Sequence, residues 1–253
     1  AVFTVMAERV SRMEKNTGYR LENTVATYDV DQEGKLKMSA ILKYNQEAGE
    51  QHISMQGFPA ATMRADFGLA FVVSAIAVRG YRRPSVGEKI TVETWCEPIK
   101  KGYYTRNHRY VARGEVLIEC KGQYPLVDTN TGRVTRPLEQ LGGKDLLFDE
   151  KVNDSCEIQK LQPFDQGTQI DRRIFYTDID YNGHLNNTRY ADLVLDSLPQ
   201  DKMNNEIKEF HIKYKEAAFL NDNITICINN KGDCVECCGK REDRVCFIAR
   251  CCF

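Results

Sequence analysis

The chain has 253 residues, of which 42% are hydrophobic and 28% charged, a balance that buries a core and excludes a disordered chain. Its formal net charge of -1 excludes the basic field that nucleic-acid binding needs, so no nucleic-acid partner is expected. No apolar run approaches the roughly 20 residues that span a bilayer, and Ala1 to Tyr19 lacks the apolar stretch of a signal peptide, so a cytoplasmic protein is expected, with an organelle interior also fitting.

In chain order, residues 19–29 alternate as a strand, and a turn follows around Gly34. A helix is predicted from Ser39, read as its N-cap, to Met55, because Ile41, Leu42, Asn45, Ala48 and His52 recur at helical spacing. Residues 69–78, 89–96, 103–111 and 115–127 read as four strands separated by turn signals such as Lys101-Gly102 and Arg113-Gly114. A strand, a long helix and an antiparallel meander form an α+β unit. Residues 138–166 read as a connector containing Gly142-Gly143.

The same order then returns. Residues 169–176 read as a strand, 186–198 as a helix stopped by Pro199, and 207–214, 223–228, 233–238 and 244–251 as strands. Asp29-Val30-Asp31-x-x-Gly34-x-Leu36 matches Asp178-Ile179-Asp180-x-x-Gly183-x-Leu185, and Gly87-Glu88-Lys89-Ile90-Thr91-Val92 resembles Asn221-Asp222-Asn223-Ile224-Thr225-Ile226 in the same order. Two matches in one order indicate a tandem duplication. The expected boundaries are 1–137 for the first unit, 138–166 for the connector and 167–253 for the second unit.

The copies differ where chemistry would sit. Asn182 and His184 stand where the first copy has Glu33 and Lys35, and Asn186-Asn187 where it has Lys37-Met38. Taken alone, an Asn-Gly pair and a nearby His build turns. Confined to one copy, they point to one live site. Asn186 or Asn187 would cap the following helix, whose N–H groups can stabilise an oxyanion, while His184 orients water or moves protons. Glu216, at a strand end in the same half, becomes a candidate base if that strand delivers it to the loop. The segment from Asp178 also imitates a calcium loop, but Arg189 occupies the position that needs a bidentate Glu. His52, His108 and His211 read as structural.

Seven of the ten cysteines lie from Cys227 onward. Cys234-x-x-Cys237-Cys238, with Cys246, Cys251 and Cys252, suggests a zinc site, yet most of these lie in strand-like runs where Cys packs as a small hydrophobe. Packing is the favoured reading, and no metal or cofactor is expected.

The segment Asp178-Ile-Asp180-Tyr-Asn182-Gly-His184-Leu-Asn186-Asn187-Thr-Arg-Tyr190 resembles the acyl-ACP thioesterases of fatty-acid synthesis. So do Tyr81-Arg-Arg-Pro84-x-x-Gly87 leading to Thr94-Trp95, and Leu126-Val-Asp128-x-x-Thr131 closing at Pro137. The resemblance implies two tandem hot-dog domains, each a long helix wrapped by an antiparallel β-sheet, with catalysis in the second and an acyl pocket in the first. It implies hydrolysis of acyl-ACP to fatty acid and ACP, with catalytic Asn182 and His184, a functional Asp180, acyl carrier protein as partner, and a homodimer left open. Plant relatives carry a Glu-Cys pair after a later Tyr. Here Tyr214-Lys215-Glu216-Ala217-Ala218 has no cysteine and a shorter spacing, which argues against a cysteine nucleophile. The helix with Ile41, Leu42 and Met55 and the strand 69–78 are expected to line the acyl channel. Arg82-Arg83, Lys100-Lys101 and Lys213 to Lys215, first read as solvated strand ends, are candidate docking points for acidic ACP. Rival readings are an acyl-CoA thioesterase, a hot-dog dehydratase (for which no His-Pro motif is found) and a non-catalytic acyl- or metal-binding protein.

Overall fold

The computed structural model describes residues 17–100, 102–135, 140–141 and 144–253. Lys101, Pro137, Gly142-Gly143 and residues 1–16, on which some expectations fall, lie outside these. The first half runs β1 (Gly18–Thr24), a 3-10 turn (Thr27–Asp29), α1 (Met38–Met55), α2 (Ala60–Phe67), β2 (Leu69–Phe71) and β3 (Ala75–Gly80). It continues with β4 (Lys89–Lys100), β5 (Tyr103–Ala112), β6 (Glu115–Tyr124) and β7 (Leu126–Asp128). Two short strands, β8 (Gln140–Leu141) and β9 (Lys144–Asp145), form a hairpin in the connector. The second half runs β10 (Thr168–Arg173), a 3-10 turn (Tyr176–Asp178), α3 (Arg189–Asp196), β11 (Glu209–Tyr214), β12 (Asn223–Lys231), β13 (Cys234–Arg241) and β14 (Arg244–Cys252).

Ten of these strands form one antiparallel sheet in the order β1-β4-β5-β6-β3-β11-β14-β13-β12-β10. Its two halves repeat the same path about the β3–β11 seam, where Phe210 pairs with Val78 and Ile212 with Ile76. The α+β arrangement expected for a double hot-dog is therefore present, with both halves joined through a continuous ladder.

The duplicated motif folds twice in one way. Val30 bridges Leu36 as Ile179 bridges Leu185, and Asp31 N donates to Lys35 O as Asp180 N donates to His184 O. Gly34 and Gly183 sit at φ +71° and +83°, the left-handed region that a side chain disfavours. Leu36 and Leu185 are the buried anchors of the two loops.

α1 lies in the cradle of the first half because one face, with Ile41, Leu42, Ala48 and Gly49, is apolar and buried. Two sheet side chains fix its position: Tyr110 donates to the Ile41 carbonyl at 2.7 Å and His108 Nε2 donates to the Asn45 carbonyl at 3.0 Å. The core is continuous across both halves, from Ile90 and Tyr110 to Phe210 and Phe247.

Several boundaries differ from expectation. α1 begins at Met38 with Lys37 at the cap and no capping side chain, so Ser39 is a buried first-turn residue, not the N-cap. α3 is shorter than predicted, since Asn187 and Thr188 form a turn before it and Ser197 closes its end by donating to the Leu193 carbonyl. The predicted strand 69–78 is two strands, and α2 was not foreseen. The connector is packed, not loose: Trp95 donates to the Lys151 carbonyl at 2.7 Å, and Leu161 is buried with Cys227, Cys238 and Ile248. Cys234 and Cys252, paired across β13 and β14, form a disulfide, while the eight other cysteines are buried and free. Among the described residues no group of three or more His, Cys, Asp or Glu is placed to hold a metal ion.

Candidate active site

The loop from Asp178 to Asn186 is held by its own backbone and by Arg189. The Arg189 guanidinium donates to Asp178 Oδ1 at 2.9 and 3.2 Å and to Asp192 Oδ2 at 2.6 Å. Asp178 in turn accepts from Phe175 N at 3.0 Å. The cation that spoils a calcium loop thus ties the loop to the first turn of α3. Leu185 N donates to the Ala218 carbonyl at 2.8 Å, and Tyr190 accepts from Ala218 N at 3.2 Å. Tyr214 donates to the Asn187 carbonyl at 3.0 Å and packs edge-on against Tyr190.

This frame brings Asp180, Asn182 and His184 together. Asp180 Oδ1 accepts from Asn182 N at 2.8 Å, and Asn182 Nδ2 lies 3.5 Å from Asp180 Oδ2. His184 Nδ1 is 3.9 Å from Asp180 Oδ1, a charge contact longer than a hydrogen bond. The Asp180 side chain is 11% exposed and that of His184 33%, so the carboxylate is sheltered while the imidazole stays reachable. Asn186 Oδ1 accepts from Thr188 N at 2.9 Å, so it caps the turn leading into α3. Among the described residues Asn187 N donates to no protein acceptor, and Asn187 lines the adjoining cavity.

Sequence reasoning missed Arg64. It comes from α2 in the other half, and its Nη2 donates to Asn182 Oδ1 at 2.8 Å. With Oδ1 taken by Arg64, Nδ2 lies on the Asp180 side, 3.5 Å from its Oδ2. Nothing local to the motif signals Arg64, since 118 residues separate the partners.

Glu216 is not brought to this group. Its carboxylate is exposed, lies 3.5 Å from Arg244 Nη1, and does not line the cavity. The basic pair Arg82-Arg83 is also engaged: Arg82 pairs with Glu88 at 2.7 Å while staying exposed, and Arg83 is buried against Asp31 at 2.6 Å, so Arg83 is not a solvated strand end.

A cavity of about 470 Å³ opens beside the loop, a size within the usual roughly 300–1,000 Å³ of ligand pockets. Asp180, Asn182 and His184 stand at one side of it. The rest of its wall comes chiefly from the first half, with Leu42 and Ile53 of α1, Met63 of α2, Phe71 of β2, and Val73 and Ile76 beyond it. Leu42 and part of the 69–78 segment thus line it as expected, whereas Ile41 is buried in the core and Met55 is exposed.

The first copy shows the same backbone without the chemistry. Burial pushes the Asp31 carboxyl up, but the Lys35 and Glu33 N–H groups and the Arg83 guanidinium outweigh it and hold the carboxyl below its ordinary value. Lys35 reaches Ser85 at 3.1 Å. That carboxylate is already neutralised, and no imidazole stands near it.

Residues 16–141 match the model of the acyl-ACP thioesterase N-terminal domain, and residues 161–245 that of the C-terminal domain. The chain belongs to the acyl-ACP thioesterase family. Within the family it is 26% identical over 218 residues to the chloroplastic dodecanoyl-[acyl-carrier-protein] hydrolase of Cinnamomum camphora, covering 80% of this chain and 56% of that one. It is 23% identical over 232 residues to oleoyl-acyl carrier protein thioesterase 1 of Arabidopsis thaliana, covering 84% and 64%. The chain thus spans roughly three fifths of the length of these curated relatives. Its fold superposes on the crystal structure of an acyl-ACP thioesterase from Bacteroides thetaiotaomicron with a TM-score of 0.82 at 23% identity, covering 95% of this chain and 99% of that one. Among the described residues no helix is long and apolar enough to cross a membrane.

Proposed function

We propose that this chain hydrolyses the thioester of acyl-ACP, releasing a fatty acid and ACP, and that it does so in the cytoplasm to end fatty-acid synthesis. The observation that carries this reading is the placement of Asp180, Asn182 and His184 at the side of a mostly apolar cavity. Residues 167–253 would act as the catalytic unit, residues 1–137 as the unit holding the acyl chain, and 138–166 as their connector.

In this mechanism His184 takes a proton from a water that attacks the thioester carbonyl, and the Asp180 carboxylate 3.9 Å away stabilises the imidazolium. Asn182, held by Arg64, and the Asn187 N–H donate to the developing oxyanion. The C–S bond then breaks, and the imidazolium returns its proton to the departing thiolate. No metal is called on, because a thiolate is a good leaving group. Asp180, not Glu216, is the proposed carboxylate partner, since Glu216 faces Arg244 and solvent.

The test is thiol release from acyl-ACP and from matched acyl-CoA. His184→Ala is expected to lower kcat by roughly 10²–10⁴-fold with an unchanged melting curve. Glu216→Gln should stay within a few-fold of the parent. Near-parental turnover by His184→Ala would reject the assignment, and a loss confined to Glu216→Gln would move the base to that residue.

A further inference from the structure

The cavity wall is not apolar throughout. Arg106 of β5 lines it and is only 8% exposed. Its Nη1 donates to Thr94 Oγ1 at 3.2 Å and to His52 Nδ1 at 2.9 Å. An arginine only donates, so this contact needs His52 Nδ1 as its acceptor, and neither neighbour is a carboxylate. Among the described residues no carboxylate reaches ion-pair distance of this guanidinium. Of the four acidic residues of the flanking strands, Glu97 pairs with Lys121, Glu119 with Arg109 and Glu93 with Arg20, and Glu115 opens β6 at an exposed position. The N–H groups on Nε and Nη2 have no acceptor among the described residues.

Two glycines make room around it. A Cβ at Gly49 would lie 3.3 Å from Arg106 Cδ and 3.4 Å from Nε. Gly122 pairs with Arg106 in the ladder, and a Cβ there would come within 2.8 Å of the Tyr124 hydroxyl, so the Tyr124 ring folds over Gly122 toward Arg106. Burial pushes the Tyr124 hydroxyl up to about 12, and the Arg106 charge opposes that rise, as adjacency requires. Tyr124 also lines the cavity, and its hydroxyl has no partner among the described residues.

A buried cation without a counter-charge is costly unless an occupant supplies an acceptor. Plain hydrocarbon would leave the three N–H groups and the phenol unsatisfied. We propose that Arg106 and Tyr124 form a polar subsite within the acyl cavity that selects acyl chains carrying an oxygen substituent (hydroxyl, oxo or carboxylate) away from the thioester. This rests on the cavity being the acyl site of the proposed hydrolase.

The experiment compares kcat/KM of the full chain on acyl-ACPs of equal carbon number: unsubstituted, 3-hydroxy, 3-oxo, ω-hydroxy and ω-carboxy. At least one oxygenated chain should exceed the unsubstituted one by roughly tenfold or more, the scale of a hydrogen bond to a charged group. The substituent position that gains most tells a 3-position oxygen from a terminal one. Arg106→Met and Tyr124→Phe should each pull that ratio toward one. If Arg106→Met does not fold, Tyr124→Phe, which removes one oxygen atom, and the parental ranking carry the test. A parent that favours the unsubstituted chain over every oxygenated one, or a ratio unchanged in folded variants, overturns the subsite while leaving thioester hydrolysis standing. No hydrolysis of any acyl-ACP overturns both.

Discussion

Asp31 and Asp180 occupy the same place in two copies of one loop, and what differs is what surrounds them. Asp31 meets a buried arginine; Asp180 meets an amide and an imidazole. The contrast was legible in sequence because the residues that build the site lie within a few positions of each other. Arg64 was not legible, since it reaches Asn182 only after the chain has folded. Its bond to Asn182 Oδ1 makes it the candidate positioning residue of the proposed site. Arg64→Met is expected to lower kcat on acyl-ACP roughly tenfold, the worth of one charge-assisted hydrogen bond, with thermal stability unchanged at this exposed site. Arg64→Lys, which can still donate, should recover part of the loss. A kcat equal to the parent's in Arg64→Met would show that the amide is set by Asp180 alone.

At the scale of elements, α1 and β5 were both read correctly from periodicity, but their union depends on side chains that periodicity does not distinguish. His108 is fully buried against the Asn45 carbonyl. Burial, reinforced by the nearby Arg106 charge, pulls its pKa down to about 3 from an ordinary 6.5. Folding therefore holds this imidazole neutral, and between those two values the unfolded chain binds the extra proton. Its contribution to stability is complete above pH 6.5 and is lost as pH falls toward 3, at about 1.4 kcal/mol per pH unit. His211, also lowered by burial, acts in the same direction. Urea denaturation at pH 7, 6 and 5 should show stability falling with acid, and His108→Gln should flatten that slope. Parallel curves for parent and variant would mean that His108 is not held neutral. The element that escaped sequence reading, α2, is eight residues of which only Met63 is buried, so it carries almost no periodic signal. The packed connector escaped for a similar reason: Leu161 and Cys156 are buried singly, without an element around them.

On the scale of the whole molecule, the duplication lets the proposed catalytic loop and the proposed acyl cavity come from different halves. The repeated strand path about β3 and β11 makes one sheet, and the cavity is walled chiefly by the half whose own loop has Glu33 and Lys35 in place of Asn182 and His184. The order of elements foretold two copies, yet no sequence pattern could place Phe71 or Met63 beside His184, because that proximity is a product of the seam. In the proposed function the first half gauges chain length for chemistry in the second. The direct measurement is thiol release from unsubstituted acyl-ACPs of increasing length by the parent and by Val73→Phe, a larger side chain on a cavity-wall residue outside the Asp178–Asn186 loop. The variant is expected to keep turnover on short chains and to lose it progressively on long ones. An equal loss at every length, or an unchanged length profile in a folded Val73→Phe protein, would contradict that role of the first half.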